Sequence, residues 1–467
     1  MSATTEAEAG HIAHTKVDGR LGLAGRMHRP IVVTMMGAGS GFTNAILKDV
    51  ILIPHHKGGE LRLVDIDERR LGLSEKLMRK TLSILGQENQ WTLTATTDRR
   101  KALPGTDYLV NSIEVSGLEC VRFDNDIPLE FGVSQNIGDT IGPGGLMKAL
   151  RTVPEWLNIL RDVRELCPKA KVLNYTNPMN IMCLASARAV PEVDVVGLCH
   201  SVQGTSHMLA GFTDREYDEI RWECAGINHL AWFTRWEDRN GKDLYPILMA
   251  KANDRESDFA KAEPVRSDMM RHFGAFITES SGHLSEYVPY YRKRKDLLEK
   301  YTDTGYRGEE SFYANNWPNW RKGQEEYREK LFNGEEQLNT ERTWEYGAWI
   351  IEAIEKDTPF VIHGNVPNEG CISNLPDDGC VEVACLVDGE GWHPTRFGRL
   401  PRQMAAMCDW NMRMFDIAAE AAIHKSKALA RQALLLDPLT AAVCAPAEIF
   451  EMVDRLFDAE KEWLPGF

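Results

Sequence analysis

Short apolar runs that end in polar clusters recur through the first 200 residues. Ile31-Val-Val-Thr-Met-Met36 is ended by Gly37-Ala-Gly-Ser-Gly41, and residues 42–50 then place apolar side chains at helical spacing. Leu61-Arg-Leu-Val64 ends in Asp65, and a helix is predicted over about 68–85 with Leu71, Leu73, Leu77 and Leu82 as its apolar members. Residues 91–94, 108–110, 172–173 and 195–198 read as further strands. Strands alternating with helical patterns predict an α/β fold with a Rossmann-type, doubly wound parallel sheet.

The pattern changes after about residue 200. Trp, Tyr and charged residues become frequent, and helical spacing dominates 343–356 and 401–435. A turn at 372–378 and an extended stretch at 381–383 interrupt it. No repeat or low-complexity linker separates the halves. The predicted organisation is a mobile arm over 1–28, a dinucleotide-binding domain over 29–200, and a mixed α/β domain over 201–467.

Composition narrows the class. The chain has 467 residues, 43% of them hydrophobic, which suffices for large cores. A formal net charge of −15 argues against a nucleic-acid or anionic-membrane surface. No apolar run approaches the roughly 20 residues of a membrane span. Ten cysteines without a Cys-x-x-Cys pair suit free thiols, so a cytoplasmic location is expected.

Candidate chemistry sits at the strand ends. Gly37, Ala38, Gly39, Ser40, Gly41 and Phe42 form a dinucleotide-type turn, imperfect because Phe42 occupies the place of the third glycine. Asp65, at the end of the second strand, can accept hydrogen bonds from an adenosine ribose, which favours NAD over NADP. Downstream, Asn177, Cys199, His200 and His229 each end or follow an apolar run. A lone Cys or His is more often a buried structural residue. Together, a thiolate and a neutral imidazole can hold a first-row divalent metal. No Gly-x-Ser-x-Gly elbow, Walker-type Gly-Lys-Ser/Thr or paired-carboxylate motif stands out.

The ordered set Gly37-Ala-Gly-Ser40, Asp65-Ile-Asp67, Thr140-Ile-Gly-Pro-Gly-Gly145, Asn174-Tyr-Thr-Asn-Pro178, Gly197-Leu-Cys-His-Ser-Val-Gln203, Gly226-Ile-Asn-His229, Thr278-Glu-Ser-Ser-Gly-His283 and Asn374-Leu-Pro-Asp-Asp378 resembles glycoside hydrolase family four. These are NAD- and Mn²⁺-dependent glycosidases on a lactate/malate-dehydrogenase-like fold. Members acting on phosphorylated sugars carry Cys-Asp-Met-Pro where this chain has Cys199-His-Ser-Val202, a form similar to the α-galactosidase branch. The resemblance implies an unphosphorylated α-galactoside as substrate, with α-glucosides or uronic-acid glycosides as alternatives, and a homodimer or homotetramer.

Carried over by position, Cys199 and His229 are the implied metal ligands, Asn177 binds the sugar, and His200 is the general acid. Tyr287 or His283 is the general base, Tyr287 being favoured, and Glu119 and Arg122 lie on the implied substrate-contacting loop. The implied mechanism oxidises sugar C3 with NAD⁺, removes the C2 proton, eliminates the aglycone, adds water and returns the hydride. A hydroxy-acid dehydrogenase and a non-catalytic NAD-binding sensor are the competing readings. The dehydrogenase lacks support from a Gly-Glu-His-Gly-type segment, and the sensor has no need of a metal-binding thiol.

Overall fold

The computed structural model describes residues 16, 17 and 20–467. Much of the expected mobile arm lies outside the described residues. Its last stretch is packed instead. Leu23 and Met27 are buried, and Leu23 N–H donates to Glu352 Oε1 at 2.8 Å. A small antiparallel pair, β1 (Lys16–Val17) and β2 (Arg20–Leu21), stands apart from the main sheet.

The glycine-turn strand is β3 (Ile31–Met36), followed in the chain by β4 (Gly59–Val64), β5 (Trp91–Thr96) and β6 (Tyr108–Asn111). Then come β7 (Lys171–Asn174) and β8 (Val195–Gly197). All six run parallel, in the spatial order β5-β4-β3-β6-β7-β8. This is the doubly wound order, whose direction of winding reverses between β3 and β6. Helices cover both faces, which is why β3 reads as a continuous apolar run and not as an alternation. Ligands in such sheets sit beyond the carboxyl ends at the reversal, where the Gly37 turn and the loop 112–117 lie.

The second half extends the same sheet with antiparallel strands. These are β9 (Ile220–Ile227), β10 (Leu230–Asp238), β11 (Phe276–Ile277), β12 (Phe360–Pro367), β13 (Cys380–Asp388) and β14 (Gly391–Pro394). β12 joins the edge of β8, β13 follows, and β9, β10 and β11 continue from β13 in a 12-stranded sheet. The aromatic texture after residue 200 therefore includes a hairpin, β9–β10, with Trp222, Phe233 and Trp236 buried on it. The larger apolar core runs through both halves, from Met35 and Leu173 to Ile362 and Phe415, and the hairpin's Trp222, Phe233 and Trp236 belong to a second cluster.

The expected helix over 401–435 is two helices, Arg402–Ile423 and Lys427–Leu435. The break falls where Lys425 takes a left-handed φ of 50° and Ser426 caps the next helix by accepting from Leu429 N–H. In helix Glu68–Ile84, Met78 is buried and Leu73 only partly so, because the buried face is rotated toward Leu71, Ser74 and Leu77.

The parallel-to-antiparallel seam is tight at Gly197. A Cβ there would meet Met179 Sδ at 2.5 Å, Cys183 Sγ at 2.7 Å and Asn365 Cβ at 2.9 Å. Gly197→Ala is expected to cost about 1–3 kcal/mol by overpacking, read as a lower denaturant midpoint at unchanged slope. An unchanged midpoint would mean that the seam has slack.

Candidate active site

A cleft of about 1520 Å³ opens beyond the carboxyl ends of β3, β6, β7 and β8. Gly37, Ser40, Gly41, Phe42 and Asp65 line it together with Asn177, Cys199, His200, His229 and His283. Of the sequence-predicted cofactor residues, Ala38 and Gly39 do not line the cleft; the others share it with Cys199 and His229.

At the glycine turn, Gly37 has φ +73°, and a Cβ there would lie 2.4 Å from Ser112 O. Only glycine permits that approach of β3 to the loop after β6. Gly39 N–H donates to Asp65 Oδ2 at 2.7 Å, while Asp65 Oδ1 accepts from Asp67 N–H at 2.9 Å. Ala38 is buried and braces the turn through its N–H to Val64 O. Phe42, the departure from the glycine fingerprint, stacks on His200 with ring centroids 6.0 Å apart. The amides opening helix Phe42–Ile51 and the cradle at Gly37 fit a dinucleotide diphosphate.

Sequence reading missed a clamp on this turn. Helix Phe312–Asn333 from the second half lays Gln324 against Gly41, and Arg328 Nη2 donates to Ser40 O at 3.0 Å. Arg70 Nη2 donates to Gly39 O at 2.9 Å. The first turns of the same helix carry Tyr313, Trp317 and Trp320 onto the cleft wall, with Tyr306 stacked parallel to Trp320 within 10°. Such a wall suits the apolar face of a sugar or its aglycone. Nothing in the spacing of this long polar helix distinguishes it from a solvated one.

The metal-type donors are Cys199, His229 and a third residue, Glu279, with ligand atoms within 4.8 Å of one another. Cys199 Sγ lies 3.2 Å from His229 Nε2, and Glu279 Oε2 lies 3.5 Å from the same nitrogen. Cys199 follows β8, His229 occupies the two-residue turn of the β9–β10 hairpin, and Glu279 follows β11. His229 and Glu279 have φ of 64° and 72°, left-handed backbone that non-glycine residues adopt at a cost. Burial opposes ionisation of the Cys199 thiol, but the adjoining His229 outweighs it and brings the thiol down to about 7. Thiolate, imidazole and carboxylate are a donor set that fits a divalent first-row metal. Glu279 stands in Thr278-Glu-Ser-Ser-Gly-His283, so its signal was present in the sequence but its role was not.

His200 precedes helix Ser201–Phe212, and its Nε2 lies 2.5 Å from Glu345 Oε2. Burial would lower its pKa, but the Glu345 charge and hydrogen bond raise it to about 9. Tyr175 donates to the other Glu345 oxygen at 3.1 Å. Glu345 is 145 residues from its partner, which sequence spacing cannot reveal.

Asn177 Nδ2 lies 3.4 Å from Asp139 Oδ2. Lys148 Nζ bridges Asp139 at 3.3 Å and Glu114 at 3.1 Å, and all four side chains line the cleft. These are charged and polar groups that face the cleft. The expected contacts Glu119 and Arg122 are not among them. Both sit exposed on helix Leu118–Glu130, where Arg122 Nη1 donates to Asn315 Oδ1, and the residues of that loop on the wall are 112–117.

The favoured base is set back from the cleft. Tyr287 is fully buried and does not line the cleft; its hydroxyl lies 3.3 Å from His229 Nδ1, behind the imidazole. Burial, with Asp139 and Glu279 nearby, holds the phenol well above its ordinary pKa. His283 does reach the wall, with Nδ1 2.5 Å from Glu286 Oε2 and Nε2 2.9 Å from His229 Nδ1. Among the described residues, no helix is long and apolar enough to cross a membrane.

Comparison with known proteins bears on the same residues. Residues 32–214 match the family 4 glycosyl hydrolase model, and residues 224–440 match the family 4 glycosyl hydrolase C-terminal domain. An α-galactosidase of Rhizobium meliloti is 36% identical over 93% of this chain and 89% of its own. An α-galactosidase of Bacillus subtilis is 36% identical over 93% of this chain and 99% of its own. The crystal structure of lplD from Bacillus subtilis superposes with a TM-score of 0.81 at 25% identity, covering 91% of this chain and 99% of that one. With both halves matched and the glycine turn, Cys199 and His229 facing one cleft, the chain belongs to the family 4 glycosyl hydrolases.

Proposed function

We propose that the protein hydrolyses unphosphorylated α-galactosides with NAD as a recycled cofactor and a divalent metal, Mn²⁺ by resemblance. The observation that carries the reading is the single cleft in which the dinucleotide turn faces the Cys199–His229–Glu279 donor set. The 36% identity to two α-galactosidases supports the choice of sugar.

When bound, NAD⁺ would take a hydride from the sugar and later return it, and the metal, held by Cys199, His229 and Glu279, would act as a Lewis acid toward sugar oxygens. Asn177 and the Asp139–Lys148–Glu114 group orient the hydroxyls. The Tyr306, Tyr313, Trp317 and Trp320 wall shields the reacting face from water. His200, whose Nε2 is held by Glu345, delivers a proton from its Nδ1 to the departing glycosidic oxygen. Removal of the C2 proton falls to the pair His283 and Tyr287, which meet at His229 Nδ1, 2.9 and 3.3 Å from it.

The test is hydrolysis of aryl α-galactoside, α-glucoside, α-galacturonide and α-galactoside 6-phosphate in D₂O with NAD⁺, Mn²⁺ and thiol. The α-galactoside should turn over fastest, with no net NADH and with deuterium incorporated at C2 of the product. Product that keeps its C2 hydrogen would point to direct displacement by carboxylates and sink the reading. Net NADH in step with product would favour a dehydrogenase.

A further inference from the structure

The buried Glu286 carboxylate reaches a metal-type ligand through a second histidine. Its Oε1 accepts the backbone N–H groups of Asn136 at 2.7 Å, Ile137 at 3.1 Å and Gly138 at 3.0 Å. Its Oε2 lies 2.5 Å from His283 Nδ1, and His283 Nε2 lies 2.9 Å from His229 Nδ1. His229 Nε2 is the nitrogen that faces Cys199 and Glu279. Glu286, His283 and His229 are all at least 96% buried, so bulk water has little access to the links.

The hydrogens along this chain cannot be placed independently. A carboxylate only accepts, so His283 Nδ1 carries a hydrogen and donates it. A neutral His283 then has its lone pair at Nε2, where it accepts from His229 Nδ1–H. That leaves the His229 lone pair on Nε2. The opposite tautomer would put a hydrogen on the atom that must bind the metal.

We propose that Glu286 is a positioning residue: acting through His283, it holds His229 in the tautomer whose Nε2 is free to coordinate. The inference rests on the reading of Cys199, His229 and Glu279 as metal ligands. It also assigns a task to the turn 136–138, which runs directly into the sugar-facing Asp139 and is tied by three amides to the residue that prepares the metal ligand.

Glu286→Gln tests it. The three backbone donors retain the amide oxygen, so the NH₂ group faces His283 Nδ1, which must now accept. Both rings change tautomer, and His229 Nε2 acquires the hydrogen. Metal-free full-length protein titrated with Mn²⁺, with the free aquo ion followed by electron paramagnetic resonance, should bind about 10- to 100-fold more weakly than wild type. Melting temperature and NAD⁺ affinity should stay near wild type. In the double variant E286Q/H283Q, the glutamine placed at 283 can turn its oxygen to His229 Nδ1, and Mn²⁺ affinity should recover most of the loss. Unchanged Mn²⁺ affinity in E286Q overturns the inference. So does a parallel fall in Mn²⁺ affinity, NAD⁺ affinity and melting temperature without rescue, which marks a merely structural residue. Wild type that binds no Mn²⁺ would remove the metal reading itself and this inference with it.

Discussion

Cys199→Ser should lower kcat/KM on an aryl α-galactoside by about 10³-fold or more. A Lewis-acid metal contributes several kcal/mol to such chemistry, and each 1.4 kcal/mol or so is a factor of ten. A serine hydroxyl, which stays protonated near neutral pH, is a far poorer ligand than thiolate. The same residue should dominate thiol chemistry. Of the ten free cysteines, Cys199 alone is not buried, and its thiol is the one brought down to about 7. Alkylation near neutral pH should therefore inactivate by modifying Cys199 first, with Mn²⁺ protecting it. Full activity after verified metal removal would defeat the assignment, as would alkylation spread evenly over the cysteines.

The second large effect concerns His200. His200→Ala should cost about 10²- to 10⁴-fold with an alkyl α-galactoside, whose leaving oxygen needs a proton. With a nitrophenyl galactoside the loss should be small, because nitrophenolate departs unprotonated. The sign of the pH dependence follows from Glu345. The acid works as imidazolium, so activity is retained below its pKa and lost as pH rises through about 9. Glu345→Gln removes the charge that raises it and should pull the alkaline limb down toward the ordinary imidazole value of about 6.5. An alkaline limb that does not move in Glu345→Gln, or equal losses on both aglycones, would exclude His200 as the proton donor.

The contrast between Tyr287 and His283 shows where sequence reading stops. Both lie in one short stretch after β11, and both could serve as a base on paper. Helix Ser281–Leu284 and the turn after it direct the imidazole to the cleft wall and bury the phenol behind it. Arg122 and Glu119 failed for a related reason. The helix Leu118–Glu130 begins ahead of both, where a loop was expected, and leaves them exposed on it. The Arg402–Ile423 break was similarly hidden, since its Lys425-Ser426 signal is a single cap inside an otherwise continuous helical pattern.

What the sequence determined by itself is local. The run before Gly37, the glycine turn that ends it, Asp65 at the end of β4 and Cys199 just beyond β8 are properties of a few adjacent residues, and spacing reports them. Tertiary structure alone decided the partners that give those residues their chemistry. Glu279 completes the donor set, Glu345 charges His200 and Glu286 orients His283, while the helix carrying Arg328 closes over the glycine turn. Hydrophobic periodicity specifies which face of an element is buried, but not which element covers it. A buried charge takes its pKa and its proton from that second element.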